Sequence, residues 1–153
     1  MADFFGANAT LRDSNVPSDK IRVQEQHGRM RIAHDTHTFA AELTTADKLI
    51  MMELPAGAKI YDVEINTDDL GTTGIFNVGW EASSEGGEVA DPNGLYSLLD
   101  VKAAANDRLK IVNTVAGFLK RFSEKVRVVI VPTENTDVAT GQSLDLTVWY
   151  TVD

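Results

Sequence analysis

Cysteine is absent from the chain. Neither a disulfide nor a thiolate metal centre is therefore open to it, and stability has to come from a packed core. Long apolar runs are missing too. The longest, Leu49 to Met52 and Val128 to Val131, are far short of the ~20 residues that cross a bilayer. The opening MADFFGANATLRDS has no basic segment followed by an apolar stretch of the usual ~7–15 residues, so no secretory signal is expected. Basic charge is scarce: 14 Lys and Arg stand against 23 Asp and Glu, a formal net charge of -9. Phosphate backbones and anionic lipid would repel such a chain. Nucleic acid and membranes are thus not expected partners, unless the basic residues around Lys120 and Arg121 form a local patch. The plain meaning of the charge is solubility at high local concentration.

What is present suits a globular domain. A chain of 153 residues, 43% apolar before its 11 glycines are counted, is the length of one domain and can bury a real core. Residues 1–20 have no hydrophobic period and read as an N-terminal arm; 21–153 read as a single domain. Phe4 and Phe5 stand out in that polar arm. They either fold back on their own core or dock on a neighbouring subunit.

Period-two alternation dominates the remainder. Ile21 to Gln24 reads as a short strand and Gln26-His27-Gly28 as a turn. Arg29 to Leu43 reads as one long or broken strand, with Met30, Ile32, His34 and Thr36 on one face. Ala46 to Leu54 holds a continuous apolar run, the pattern of a strand covered on both faces. Pro55 and Gly57 make a sharp corner after it. Tyr61, Val63 and Ile65 then alternate with Asp62, Glu64 and Asn66. Phe76, Val78 and Trp80 form a further strand. Ser83 to Gly94 reads as a polar loop ending in an Asp-Pro-Asn-Gly turn, and Leu95 to Arg108 favours a short helix by composition. Ile111 to Phe118 is ambiguous. Val126, Val128 and Ile130 mark a strand, and Leu144, Leu146, Val148, Tyr150 and Val152 mark the last. No helix-strand alternation and no repeat are visible. The expected fold is all-β: an antiparallel β-sandwich, jelly-roll-like, with at most one short helix.

No residue set is convincingly catalytic. In a strand His34 and His37 point to opposite faces and cannot share a metal; in a turn they can, with His27 or Glu42 joining. Asp62 and Glu64 share a face, as acid/base carboxylates do, yet an exposed strand face is commonly just solvated. Asp68-Asp69 and Asp91-Pro92-Asn93 offer oxygen ligands without the spacing of a calcium loop. Serines 83, 84, 97 and 123 lack a nucleophile-elbow context. The expectation is a non-enzyme with no catalytic residue, metal or cofactor. Lys120 and Arg121, with Lys125 and Arg127, are either a solvated face or a docking surface for an acidic neighbour. Trp149, among Asp145, Thr147 and Thr151 on one strand face, suits a subunit contact, ordinary packing or a sugar platform.

One stretch carries a resemblance. Ala46-Asp47-Lys48-Leu49, then Glu53-Leu54-Pro55-Ala56-Gly57-Ala58-Lys59-Ile60-Tyr61-Asp62-Val63, then Asp68-Asp69-Leu70-Gly71 and Val78-Gly79 resemble a pattern in small virion proteins of tailed bacteriophages. The opening Met1 to Asn8 is similar as well, so the resemblance spans the first half. It implies a head decoration or cement protein: a β-sandwich module, often trimeric, over junctions between hexamers of the major capsid protein. It would be made in the host cytoplasm and reside on the phage head. Phe4, Phe5, Trp149, Lys120 and Arg121 are the expected protein contacts. A tail or fibre-associated module binding host glycan is the alternative, and a cupin-like metal enzyme a third reading.

Overall fold

The computed structural model of the chain describes residues 29–83, 87–100, 109–110, 117 and 119–152. The N-terminal arm with Phe4 and Phe5, the Ile21–Gln24 strand and the Gln26–Gly28 turn lie outside the described residues, as do 101–108 and most of the Ile111–Phe118 stretch. Among the described residues eight strands run in chain order: β1 (Arg31–Thr38), β2 (Leu49–Leu54), β3 (Ala58–Thr67), β4 (Ile75–Ala82), β5 (Asp91–Asp100), β6 (Leu109–Lys110), β7 (Val126–Pro132) and β8 (Ser143–Val152). No helix occurs among the described residues.

The strands form two four-stranded antiparallel sheets, ordered β1-β8-β3-β6 and β2-β7-β4-β5. Apart from the β4–β5 hairpin, each strand is followed by one in the opposite sheet. That weave gives the antiparallel β-sandwich expected from the alternation. Val63, Ile65, Leu144, Leu146 and Val148 from the first sheet meet Leu49, Leu54, Phe76, Val78, Val126, Val128 and Ile130 from the second in one buried cluster. These are the apolar members of the period-two strands, so burial follows directly from the pleat.

Four readings need correction. Asp91–Asp100 is strand β5, not the end of a loop followed by a helix. Pairing with β4 overrides the helical composition of Leu95 to Asp100. The pairing shifts register twice, once beside Leu98, whose φ is +58°, and this hides any clean alternation. β2 is not covered on both faces: Ile50 is 47% exposed while Leu49, Met51 and Leu54 are buried. A bulge between Ile50 and Met52 turns Met51 inward and so imitates a two-sided run. A second bulge, between Ile60 and Asp62, makes Tyr61 the extra residue of β3, and Ile60 takes the core position. Finally, β1 stops at Thr38. Phe39 is buried, held by its N–H to Gln142 O at 2.9 Å and by Gly141 N–H to its own O at 2.8 Å.

The Pro55–Gly57 corner forms as expected. Gly57 has φ +81°, which an L side chain resists. Its N–H donates to Phe122 O at 2.9 Å, Phe122 N–H donates to Ala58 O at 2.9 Å, and Ile60 N–H donates to Lys120 O at 2.9 Å. The Lys120–Phe122 segment is thereby stitched to the start of β3.

Candidate functional site

The outer face of the β1-β8-β3 sheet collects residues that the sequence reading singled out separately. Cross-strand register lines up three rows: Ile32, Trp149 and Asp62; His34, Thr147 and Glu64; Thr36, Asp145 and Asn66. His34 Nδ1 lies 3.0 Å from Thr147 Oγ1, and Thr36 Oγ1 donates to Asp145 Oδ1. His34, Glu64, Asn66, Asp145 and Thr147 line a shallow depression of about 120 Å³. His34 and Glu64 thus line one depression from either side of β8, which no local spacing reveals.

The polar rows end in an apolar corner. Ile32 is 64% exposed and Met30, just ahead of β1, 56%. Half-buried Trp149 lies opposite Ile32. An indole edged by aliphatics and followed by hydroxyls and carboxylates is suited to contact with another molecule.

His37 points away from His34, as strand geometry requires. Its ring packs edge-on to Phe39, with centroids 4.9 Å apart. Among the described residues no group of three or more His, Asp and Glu side chains is disposed to hold a metal ion. The Asp62 carboxylate accepts its neighbour's Val63 N–H at 3.0 Å. Asp68 accepts both the N–H and the Oγ of Ser143, at 2.7 and 2.8 Å, and Asp69 accepts Gly71 N–H at 3.1 Å. These acidic turn residues act as loop fasteners.

Lys120 and Arg121 sit elsewhere and diverge. Lys120 Nζ is 3.0 Å from Glu88 Oε1 and lies 5.3 Å and 5.5 Å from the ring centroids of Trp80 and Phe122. Glu88 also accepts the N–H and Oγ of Ser123, at 3.1 and 3.0 Å. Burial pushes the Glu88 carboxyl up. The hydrogen bonds from Lys120 and Ser123 together outweigh it, so its pKa sits below the usual carboxylate value. The ammonium is therefore engaged within its own chain. Arg121 pairs with Lys59 through the backbone alone, as an isolated antiparallel bridge, and lines a surface cavity of about 270 Å³ with Gly57, Phe122 and Ser123. Across the molecule, on the outer face of the β2-β7-β4 sheet, Glu53 pairs with Lys125 and Arg127, and Lys48 with Glu81.

The sequence reading missed the residue that fastens the loops at one end. Asp137 accepts four hydrogen bonds, from the N–H and Oγ1 of Thr72 at 3.0 and 2.6 Å and from those of Thr73 at 3.0 and 2.9 Å. It ties the β3–β4 loop to the β7–β8 loop. The Thr72 hydroxyl and amide, then those of Thr73, hold its carboxyl far below the ordinary value of 3.8. Because the folded value is depressed, its stabilisation is complete at neutral pH. It drains away only as pH falls below the unfolded carboxylate range. In urea titrations from pH 7 to pH 2, Asp137→Ala should lower the midpoint at pH 7 and flatten the loss below about pH 4. Superimposable acid profiles of variant and parent would contradict that role.

No protein-family model and no curated protein matches the chain. Solved structures do. It is similar to a chain of the cyanophage Pam1 capsid asymmetric unit, with a TM-score of 0.65 and 24% identity over 82% of this chain and 86% of that one. It is also similar to a chain of the capsid of Ralstonia phage GP4, with a TM-score of 0.62 and 18% identity, again over 82% of this chain and 86% of that one. At these identities the likeness establishes a common fold.

Proposed function

We propose that the protein is a structural component of a tailed-phage head, binding across capsomer junctions of the major capsid protein as a decoration or cement protein. The observation that carries this is the shared fold, over most of both chains, with chains from two phage capsid assemblies. The resemblance of the Ala46–Gly79 stretch to phage virion proteins points the same way. In this reading the protein is not an enzyme, acts as a homo-oligomer with the trimer favoured, and resides on the virion after synthesis in the host cytoplasm.

The physical demands of that role suit the chain. A cementing module needs a rigid scaffold, and the sandwich has one continuous core. It must stay soluble at high concentration before assembly, which a net charge of -9 favours. Many copies then bind through modest contacts that add by avidity. Phe4, Phe5, Trp149, Lys120 and Arg121 are the contact residues in this reading.

Binding to heads stripped of the protein tests the proposal. The full chain should restore occupancy. Deletion of Met1–Lys20 should abolish binding without moving the unfolding midpoint, and Trp149→Ala should weaken it. Undiminished occupancy by the deletion variant would remove the arm from the mechanism. Failure of the full chain to bind any head would overturn the reading. The row of Trp149, Thr147 and Asp145 beside His34 also fits the glycan-binding alternative, which specific retention on a host-glycan array would favour.

A further inference from the structure

Beyond Trp149, the outer face of the β1-β8-β3 sheet has a fourth row. Lys59 of β3 lies opposite Thr151 of β8, and the isolated bridge sets Arg121 opposite Lys59 on its other side. Ala58, Ile60 and Phe122 are buried. Lys59 and Arg121 alternate with them and so belong to the outer face. Ile60 N–H donates to Lys120 O and Phe122 N–H to Ala58 O, both at 2.9 Å. These bonds flank Lys59 and Arg121. The two cations are therefore a non-hydrogen-bonded pair, the kind whose side chains stand closest, with Cα atoms about 4.5 Å apart.

Two cations so placed are a local fault in the fold, because like charges directly opposite each other destabilise a strand pair. The other three rows of the face each hold a carboxylate, from Asp62, Glu64 or Asp145. The fourth holds Arg121, Lys59 and Thr151, and no acid. Thr151 is 3% exposed, and its hydroxyl has no hydrogen-bond partner among the described residues. Local rules are broken in this way where a site requires it. Lys59 Nζ lies 5.5 Å from the centroid of the Tyr61 ring. Arg121 walls the cavity of about 270 Å³ with Gly57, Phe122 and Ser123. The pair thus has a firm backbone beneath it and room beside it.

We propose that Lys59 and Arg121 together receive a carboxylate side chain, Asp or Glu, from a neighbouring protein on the phage head. The inference rests on the reading of the chain as a head protein and adds the chemistry of the partner. A guanidinium carries five N–H donors and an ammonium three, so each cation can hold the carboxylate while keeping contacts within its own chain. Arg121 suits a bidentate grip, and Lys59 adds a second charge. The incoming carboxylate also relieves the repulsion between them. Trp149 stands two residues before Thr151 on the same face of β8, so the charged and aromatic contacts form one patch. Polyanions such as nucleic acid are disfavoured by the net charge of -9. A sugar acid gains from an aromatic ring to lie against, and the ring of the cavity, Phe122, is completely buried.

Rebinding to stripped heads tests this with Lys59→Gln and Arg121→Gln. Lys48→Gln is the control: it removes the same charge from the opposite sheet, where Lys48 pairs with Glu81. Each of the first two should weaken binding about 10-fold or more, and the control should bind as the parent does. Between about 50 mM and about 500 mM salt the parent should lose affinity more steeply than either variant. Neither variant should lower the urea midpoint, because removing one of two like charges relieves their repulsion. Parental binding by both variants overturns the proposal and leaves the head reading standing. So does a loss no larger than that of Lys48→Gln, or a lowered midpoint with binding intact, which would assign the pair to the fold. Retention of the parent, but not of Arg121→Gln, on sialylated glycans with head binding unchanged would assign the site to a sugar acid and overturn the proposal too. A parent that binds no head overturns both readings.

Discussion

Phe122→Ala should cost about 4 kcal/mol of folding stability, the cost of deleting a fully buried aromatic. Phe122 is completely buried and lies where several parts of the fold converge. Its ring stands edge-on to Trp80 with centroids 5.3 Å apart. Lys120 Nζ lies 5.5 Å from its centroid. Its own backbone bonds to Gly57 and Ala58. Truncation opens a cavity beneath the Lys120–Phe122 segment and removes one wall of the Trp80 site. For a domain of this length the loss corresponds to a melting temperature lowered by roughly 10 °C. Urea unfolding should show a lower midpoint with an unchanged slope, and Trp80 emission should report the changed contact. Phe122→Leu, which refills most of the volume, should recover more than half of the loss. A cost for Phe122→Ala below about 1 kcal/mol, the level of a surface change, would show that Phe122 is not a keystone of the core.

Gly79→Ala should be nearly as damaging, at about 3 kcal/mol, because the added methyl meets backbone on every near side. A Cβ at Gly79 would collide with Asp91 O and lie 2.5 Å from Pro92 C and 2.7 Å from Pro92 O. None of these atoms can swing aside as a side-chain tip would. The start of β5 would have to lift off β4. That would break the Trp80–Asp91 pairing and pull on the bond from Trp80 Nε1 to Val89 O, 3.0 Å long. Gly87→Ala is the internal control, since nothing lies within 4 Å of its added Cβ. It should be neutral or slightly stabilising. Chemical denaturation of both variants separates the two cases. Equal midpoints would mean that the β4–β5 approach is loose enough to absorb a methyl group.

Neither effect is visible in the chain read as a string. Val78-Gly79 reads as an ordinary strand step, and nothing near it announces that Asp91 and Pro92 come down upon it. The Asp91-Pro92-Asn93-Gly94 turn signal is misleading for the same reason. These residues lie within β5, in a stretch where its register with β4 shifts between Val78 and Trp80. The same limit applies to the candidate site. The face shared by Asp145, Thr147 and Trp149 follows from alternation, and so does the divergence of His34 and His37. The meeting of His34 with Thr147 and of Thr36 with Asp145 joins residues more than a hundred positions apart. Lys120 looked free to dock elsewhere because its carboxylate partner, Glu88, lies 32 residues away.

The β-sandwich class, the inward sets of β4, β7 and β8 and the Pro55–Gly57 corner were all legible in the amino acids. They depend on short-range rules: which way a side chain points along a pleat, which residue accepts a positive φ, which lacks an N–H. Bulges in β2, β3 and β5, the Asp137 clasp and the neighbours of Trp149 became visible only once the strands were paired. Those features depend on register, and register is a compromise among strands distant in sequence, struck where both sheets bury the most apolar surface at once.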